Sequence, residues 1–337
     1  MVVYAVICAL LVSAVLADLL VLRRILIPRI CDYFEKSPAF NVIPAGPVAN
    51  AVSVSFQTAS GLTLRGSLIN SEHADPPGLV LFFPEHRGNH WTAPRYCQRL
   101  IELGYVILSF DVRNQGESDS MVGYMPSHWM TEYEMEDVAA VMEFIEADDR
   151  LSTLPILTFG VSRGGVAALL AGCRYHRIRG VVADSAFGTL STVRFFADRF
   201  AGMFVPQRIY QLIPDWHIQR TLRRVMALSE RRRGCRYVHL EDEVVHLESR
   251  SVLLISGSSD TYVSTEIARR LQVLAGSGTQ LWIARGAGHN GARSKHTADY
   301  DRLVAAHVSR CLPDEVLRPG VALSGSSGIA LPVAGTV

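Results

Sequence analysis

The sequence predicts an α/β fold, a mostly parallel sheet with helices on both faces, and three observations lead there. Beyond an opening hairpin, short runs of strand length alternate with stretches of helical period. Those runs are apolar throughout, as strands must be when crossover helices cover both sides of a parallel sheet. One of them, 154–159, leads through Gly160-Val161-Ser162-Arg163-Gly164 into the small apolar residues 166–171. That G-x-S-x-G pattern fits a strand reversing sharply into a helix with the serine on the turn. Glycine stands two positions either side because backbone passes close to backbone there. The helix N-terminus beside the serine favours developing negative charge.

The elements follow in order. Residues 1–22 are apolar apart from Ser13, Asp18 and a few small residues, and Arg23, Arg24 and Arg29 come after them. Roughly 20 apolar residues cross a bilayer as a helix, so 1–30 is predicted to be a transmembrane anchor. A signal peptide cut after Val15-Leu16-Ala17 is the competitor. It lacks a basic leading region, and apolar sequence runs on past the cut through 19–22. The arginines after the span predict a single-pass topology with the rest of the chain in the cytoplasm. Residues 31–50, with Pro38, Pro44 and Pro47, read as a linker. The main folded unit, 51–313, opens with a hairpin, 52–56 and 62–69, turning at Ala59-Ser60-Gly61. Strands follow at 79–83, 105–110, 154–159, 178–183, 251–256 and 280–284. Helices are expected at 92–103, with Tyr96, Leu100 and Leu103 on one face, at 134–147 and at 301–311. The pattern breaks between 188 and 249, where Phe195, Phe196, Phe200, Met203, Phe204, Tyr210 and Trp216 precede the arginine-rich 220–236. That length predicts a helical cap rather than a loop. Residues 314–337, rich in Gly, Ser, Ala and Val, read as a flexible tail.

Composition excludes several classes. The formal net charge is +1, which gives no electrostatic case for nucleic acid. The six cysteines have neither metal-ligand spacing nor a disulfide framework. No metal or organic cofactor is called for, and the sequence assigns no oligomeric state.

A serine hydroxyl needs a base, and the base needs an orienting acid. In this fold they lie in loops after later strands, in the order serine, acid, histidine. Asp260 follows the strand at 251–256 within Gly257-Ser258-Ser259-Asp260. His289 follows the last strand within Arg285-Gly286-Ala287-Gly288-His289-Asn290. Asp184 also ends a strand and is a rival acid; Asp260 is preferred because it occupies the later loop.

These residues, with the Gly61 hairpin and Asp111-Val112-Arg113-Asn114-Gln115-Gly116-Glu117-Ser118, resemble the α/β-hydrolase superfamily. The likeness is to its lidded esterase, lipase and thioesterase branch, near the prolyl-oligopeptidase-like catalytic domains. It covers about 52–312. It implies Ser162, Asp260 and His289 as a catalytic triad, with backbone N–H groups of Arg163 and His86 as oxyanion donors. One departure stands out: Pro84-Glu85 occupies the place of the family's usual His-Gly. The implied function is hydrolysis of an ester or thioester through an acyl-enzyme, on a lipophilic small-molecule acyl substrate. A peptidase and a non-catalytic membrane-tethered binding protein are the alternatives. An aspartate-nucleophile hydrolase is disfavoured by Ser162.

Overall fold

The computed structural model describes residues 2–36, 42, 45–247 and 250–312. Most of the linker's proline-bearing stretch, two residues at the end of the cap and the tail at 314–337 lie outside the described residues. Eight strands form one sheet: β1 (Ala51–Gln57), β2 (Thr63–Ile69), β3 (Leu79–Phe83), β4 (Val106–Phe110), β5 (Ile156–Val161), β6 (Ile178–Asp184), β7 (Ser251–Gly257) and β8 (Thr279–Ala284). Their order is β1-β2-β4-β3-β5-β6-β7-β8. Only the β1/β2 and β2/β4 pairs are antiparallel. The expected hairpin is therefore the antiparallel edge of an otherwise parallel sheet.

Side chains alternate across that sheet, and each face has its own core. Leu79, Leu81 and Phe83 point into one layer with Val138 and Ile145 of α4 (Glu132–Ala147) and Val166 and Leu170 of α5 (Arg163–Arg174). Val80 and Phe82 point the other way, onto Tyr96 and Leu100 of α3 (Ala93–Glu102) and Tyr300 and Val304 of α12 (Thr297–Cys311). Both faces of β3, β4, β5 and β7 are buried, which explains their largely apolar runs, and β6 exposes only Arg179 at its start. Helix α4 starts earlier than its apolar period suggests. Thr131 and Glu134 form a capping box that satisfies the orphan N–H groups of the first turn.

Before the sheet come α1 (Val2–Val21), a π-helical turn and α2 (Ile27–Phe34). Among the described residues, no helix is long and apolar enough to cross a membrane. The transmembrane anchor read from residues 1–30 therefore has no support in the structure; side chains at several positions within α1 are not among those described. Helix α2 runs past the expected start of the linker at residue 31. Its apolar stripe is the reason: Ile27 and Cys31, with Leu22, pack on Val225, and Phe34 stacks on Trp129 at 5.1 Å.

The stretch from 188 is helical, with α6 (Thr189–Phe200), α7 (Gln207–Tyr210), α8 (Asp215–Arg233) and α9 (Leu240–Glu243). Glu241 accepts the N–H groups of Thr189 and Ser191 at 2.9 and 2.8 Å, which neutralises the N-terminus of α6 with a carboxylate. Helix α10 (Thr265–Ala275) and the short α11 (Ala292–Lys295) complete the chain's helices among the described residues.

Candidate active site

Ser162 sits between β5 and α5 with φ 55° and ψ −119°. That left-handed backbone is uncommon for a residue with a side chain and costs on the order of 1–3 kcal/mol. Close packing holds it in place. A Cβ on Gly160 would lie 2.0 Å from the Gly164 carbonyl oxygen, and one on Gly164 would lie 2.1 Å from that of Phe83. Only glycine lets α5 cross this near to the ends of β3 and β5. The N–H of Ser162 is tied to the Asp184 carbonyl of the neighbouring strand at 2.7 Å.

Ser162 Oγ lies 2.8 Å from His289 Nε2, and His289 Nδ1 lies 2.7 Å from Asp260 Oδ2. A carboxylate only accepts, so Nδ1 carries the imidazole proton and Nε2 is left to accept from the serine. The other oxygen of Asp260 accepts the N–H groups of Tyr262 and Val263 at 2.7 and 2.9 Å, which fixes the carboxylate plane. The acid and histidine loops are joined as one piece. Ser259 donates to the Ala287 carbonyl at 2.9 Å, and Gly286 donates to Ser258 Oγ at 2.7 Å. The structure thus brings together three residues that lie far apart in the chain.

Asp184 has a different place. Its carboxylate accepts the hydroxyls of Ser185 and Tyr300, both at 2.9 Å, and is fully buried. Ser185 Oγ in turn accepts the N–H of Asn290, next to His289, at 3.1 Å. The pair Asp184-Ser185 therefore touches the turn of Ser162 and the loop of His289 at once. Burial raises the Asp184 carboxyl to about 6.

Neither the N–H of Arg163 nor that of His86 has a hydrogen-bond partner among the described residues. His86 belongs to a tight turn in which Gly88 donates to the Glu85 carbonyl at 2.8 Å and Arg87 has φ 67°. Its ring, 3.3 Å from Gln115, is held neutral: burial, then the Arg163 guanidinium, lowers its pKa to about 2. Glu85 is buried with its side chain folded over Gly88, and burial raises its carboxyl. Arg95 stands 3.8 Å from one of its oxygens.

The sequence reading passed over Glu134. Its buried carboxylate pairs with Arg163 at 2.6 Å and accepts the hydroxyls of Tyr124 and Thr131, also at 2.6 Å. The spacing Thr131-x-x-Glu134 was the signal that could have found it, as a helix cap. Only the packing makes that same cap the counter-ion of the residue after Ser162. Among the described residues, no cluster of three or more His, Cys, Asp or Glu is arranged to hold a metal.

A family model described as serine aminopeptidase, S33, matches residues 74–249, more than half of the chain. The chain belongs to this family of α/β hydrolases. Solved relatives of the hydrolase share its fold. The esterase PF2001 of Pyrococcus furiosus is 20% identical, with 80% of this chain and 98% of the esterase covered at a TM-score of 0.57. Est1E of Butyrivibrio proteoclasticus, solved with ferulic acid bound, is 16% identical, with 75% and 99% covered at a TM-score of 0.52. The thiohydrolase aneE of Aspergillus aculeatus is 30% identical over 131 residues, which is 39% of this chain. The hydrolase spans only 40% of that curated relative's length.

The Asp184 carboxyl makes one outcome measurable. Its folded pKa of about 6 lies above the ordinary 3.8, so its contribution to stability is complete below about pH 4 and is lost as pH rises through 6. Asp184→Asn should therefore lose less of its urea midpoint between about pH 4 and about pH 7 than the wild type does. An equal loss in both would show that Asp184 titrates normally.

Proposed function

We propose that this hydrolase cleaves an ester or thioester through an acyl-enzyme. The observation that carries the reading is the hydrogen-bonded chain from Ser162 Oγ through His289 to Asp260 Oδ2 on a strained strand-to-helix turn. As Ser162 Oγ bonds to the acyl carbon, its proton passes to His289 Nε2, and Asp260 stabilises the imidazolium that forms. The carbonyl oxygen becomes an oxyanion facing the N–H groups of Arg163 and His86. Collapse breaks the bond to the leaving alcohol or thiol, which takes the proton from Nε2. Water then repeats the sequence in reverse order, with His289 as base, and frees the acid and Ser162.

The thioester branch draws support from the Aspergillus relative, a thiohydrolase, and the ester branch from the solved esterases. The family's description makes a peptide amide the second reading. A non-catalytic binding protein would leave the Ser162–His289 bond without use. Labelling by a fluorophosphonate, followed by a panel of acyl esters, thioesters and aminoacyl amides, separates these readings. Turnover should fall by about three orders of magnitude or more in Ser162→Ala and His289→Ala, and by far less in Asp184→Asn than in Asp260→Asn. Normal turnover by His289→Ala would end the assignment.

We also propose the segment 188–249 as a lid. Ser162 is only 3% exposed, and Phe196 of α6 meets Tyr262 at 5.4 Å, which in turn meets His289 at 5.6 Å. Phe204, by contrast, packs on Tyr33 of α2. A pocket of about 320 Å³, open to one side, is lined by Leu190, Met226, Glu230 and His239, and none of the triad lines it. Phe196→Ala should change chain-length preference while leaving an acetyl ester's rate nearly intact; equal losses on both would make the cap merely structural.

Membrane attachment through residues 1–30, with the hydrolase on the cytoplasmic side, rests on the sequence alone. Retention of the full chain in membranes after an alkaline carbonate wash is the expected result, and release into the supernatant counts against it.

A further inference from the structure

Among the described residues, the large apolar side chains left exposed fall mainly in two places. One is the N-terminal helix, with Val3, Ile7, Leu10, Leu16 and Leu20. The other is the outer edge of the cap, where Phe200, Met203, Ile209, Leu212 and Trp216 stand open, Leu212 at 82% and Trp216 at 63%. A soluble surface scatters such residues singly, and a concentration of them marks something that covers it.

The cap edge is one ordered unit. Arg194 of α6 pairs with Asp198 at 3.0 Å and with Asp215 at the start of α8, and Tyr210 of α7 donates to Asp198 at 2.6 Å. The two apolar places are also joined to each other. Cys31 and Ile27 of α2 pack on Val225 of α8, and the Tyr33 ring meets Phe204 edge-on at 5.4 Å. The N-terminal helix therefore leaves the molecule from the cap side.

Charge selects the occupant. Asp215 is the only acid between 200 and 225, and Arg194 and Gln219 occupy it. Arg208, Arg220 and Arg223 are exposed in the same stretch, as are Arg23, Arg24 and Arg29 before and along α2. Apolar side chains and a tryptophan set among arginines, with one acid in 200–225, are the composition of an interfacial segment on anionic lipid. We propose that the cap edge formed by Phe200, Met203, Ile209, Leu212 and Trp216 seats in the headgroup layer of an anionic lipid surface. This contact is separate from any span by residues 1–30 and independent of the chemistry at Ser162. It has one consequence for access: Phe200 is one helical turn from Phe196, which closes on Tyr262 and His289.

The test uses the full chain with vesicles of three parts phosphatidylcholine to one part phosphatidylglycerol. The phosphatidylcholine carries bromine near the top of its acyl chains or carries none. Trp91 and Trp129 are buried and Trp282 is half-buried, and all three remain in Trp216→Phe, so subtracting that variant's signal isolates Trp216. Its emission should fall by at least half in brominated vesicles, and Leu212→Glu should abolish most of that quenching. Equal emission in both vesicles would overturn the proposal while leaving an N-terminal anchor intact. Failure of the chain to float with vesicles would overturn both. Trp216 unquenched by bromine yet shielded from acrylamide, with a cross-linked dimer, would assign the surface to a second copy instead. Fluorophosphonate labelling of the same samples reads the hydrolase separately, since lipid seating does not require Ser162 to react.

Discussion

The structure depends on one close approach of backbone to backbone. Helix α5 begins immediately after β5, and it does so with Gly164 against the Phe83 carbonyl and Gly160 against the Gly164 carbonyl. Everything at the site is measured from that crossing. It sets Ser162 in a left-handed conformation and aims its hydroxyl at His289. It also leaves the first N–H groups of α5 beside the serine, where an anion is favoured. The strain at Ser162 is held by its neighbours, above all by the bond from its N–H to Asp184.

Buried polar groups surround this crossing, and several of the charged ones are paired. Arg163 lies over the buried Glu134, and the histidines near it, His86 and His128, are held neutral by burial and by its charge. A second buried cation, Arg113, is gripped by Asp137 at 2.6 Å and Glu136 at 2.7 Å. Breaking one partner of such a pair leaves an uncompensated charge in a dry interior, which costs about 3–5 kcal/mol. The loop from Asp111 to Ser118 is shaped by the same logic. The Asp111 carboxylate takes the N–H groups of His90 and Glu117 at 2.7 and 2.9 Å, and a Cβ on Gly116 would collide with it. That explains the glycine in this loop, and the resulting turn presents Gln115 to His86.

The helical stretch from 188 makes contacts on two sides. Through Phe196 and Tyr262 it reaches the imidazole of His289, and Arg199 adds a bond to the Thr261 carbonyl at 3.2 Å. Through α8 it reaches α2, where Arg232 pairs with Asp32 at 2.8 Å beside the Val225 contact. The helical stretch from 188 therefore packs between the loop that carries Asp260 and the N-terminal α2.

By itself, the sequence determined the sheet, the turn at Ser162 and the family. These are written in local terms: unbroken apolar runs for strands buried on both faces, glycines two positions from the serine, and one acid and one histidine on successive late loops. Tertiary structure decided what spacing cannot carry. It divided the two candidate acids, giving Asp260 the histidine and giving Asp184 the hydroxyls of Ser185 and Tyr300. It turned the helix-cap residue Glu134 into the partner of Arg163, and it carried α2 past residue 31, where the sequence suggested a linker, along α8. Each of these is a contact between residues distant in the chain. A hydrogen bond or an apolar stripe has no partner until the sheet and its helices bring one within reach.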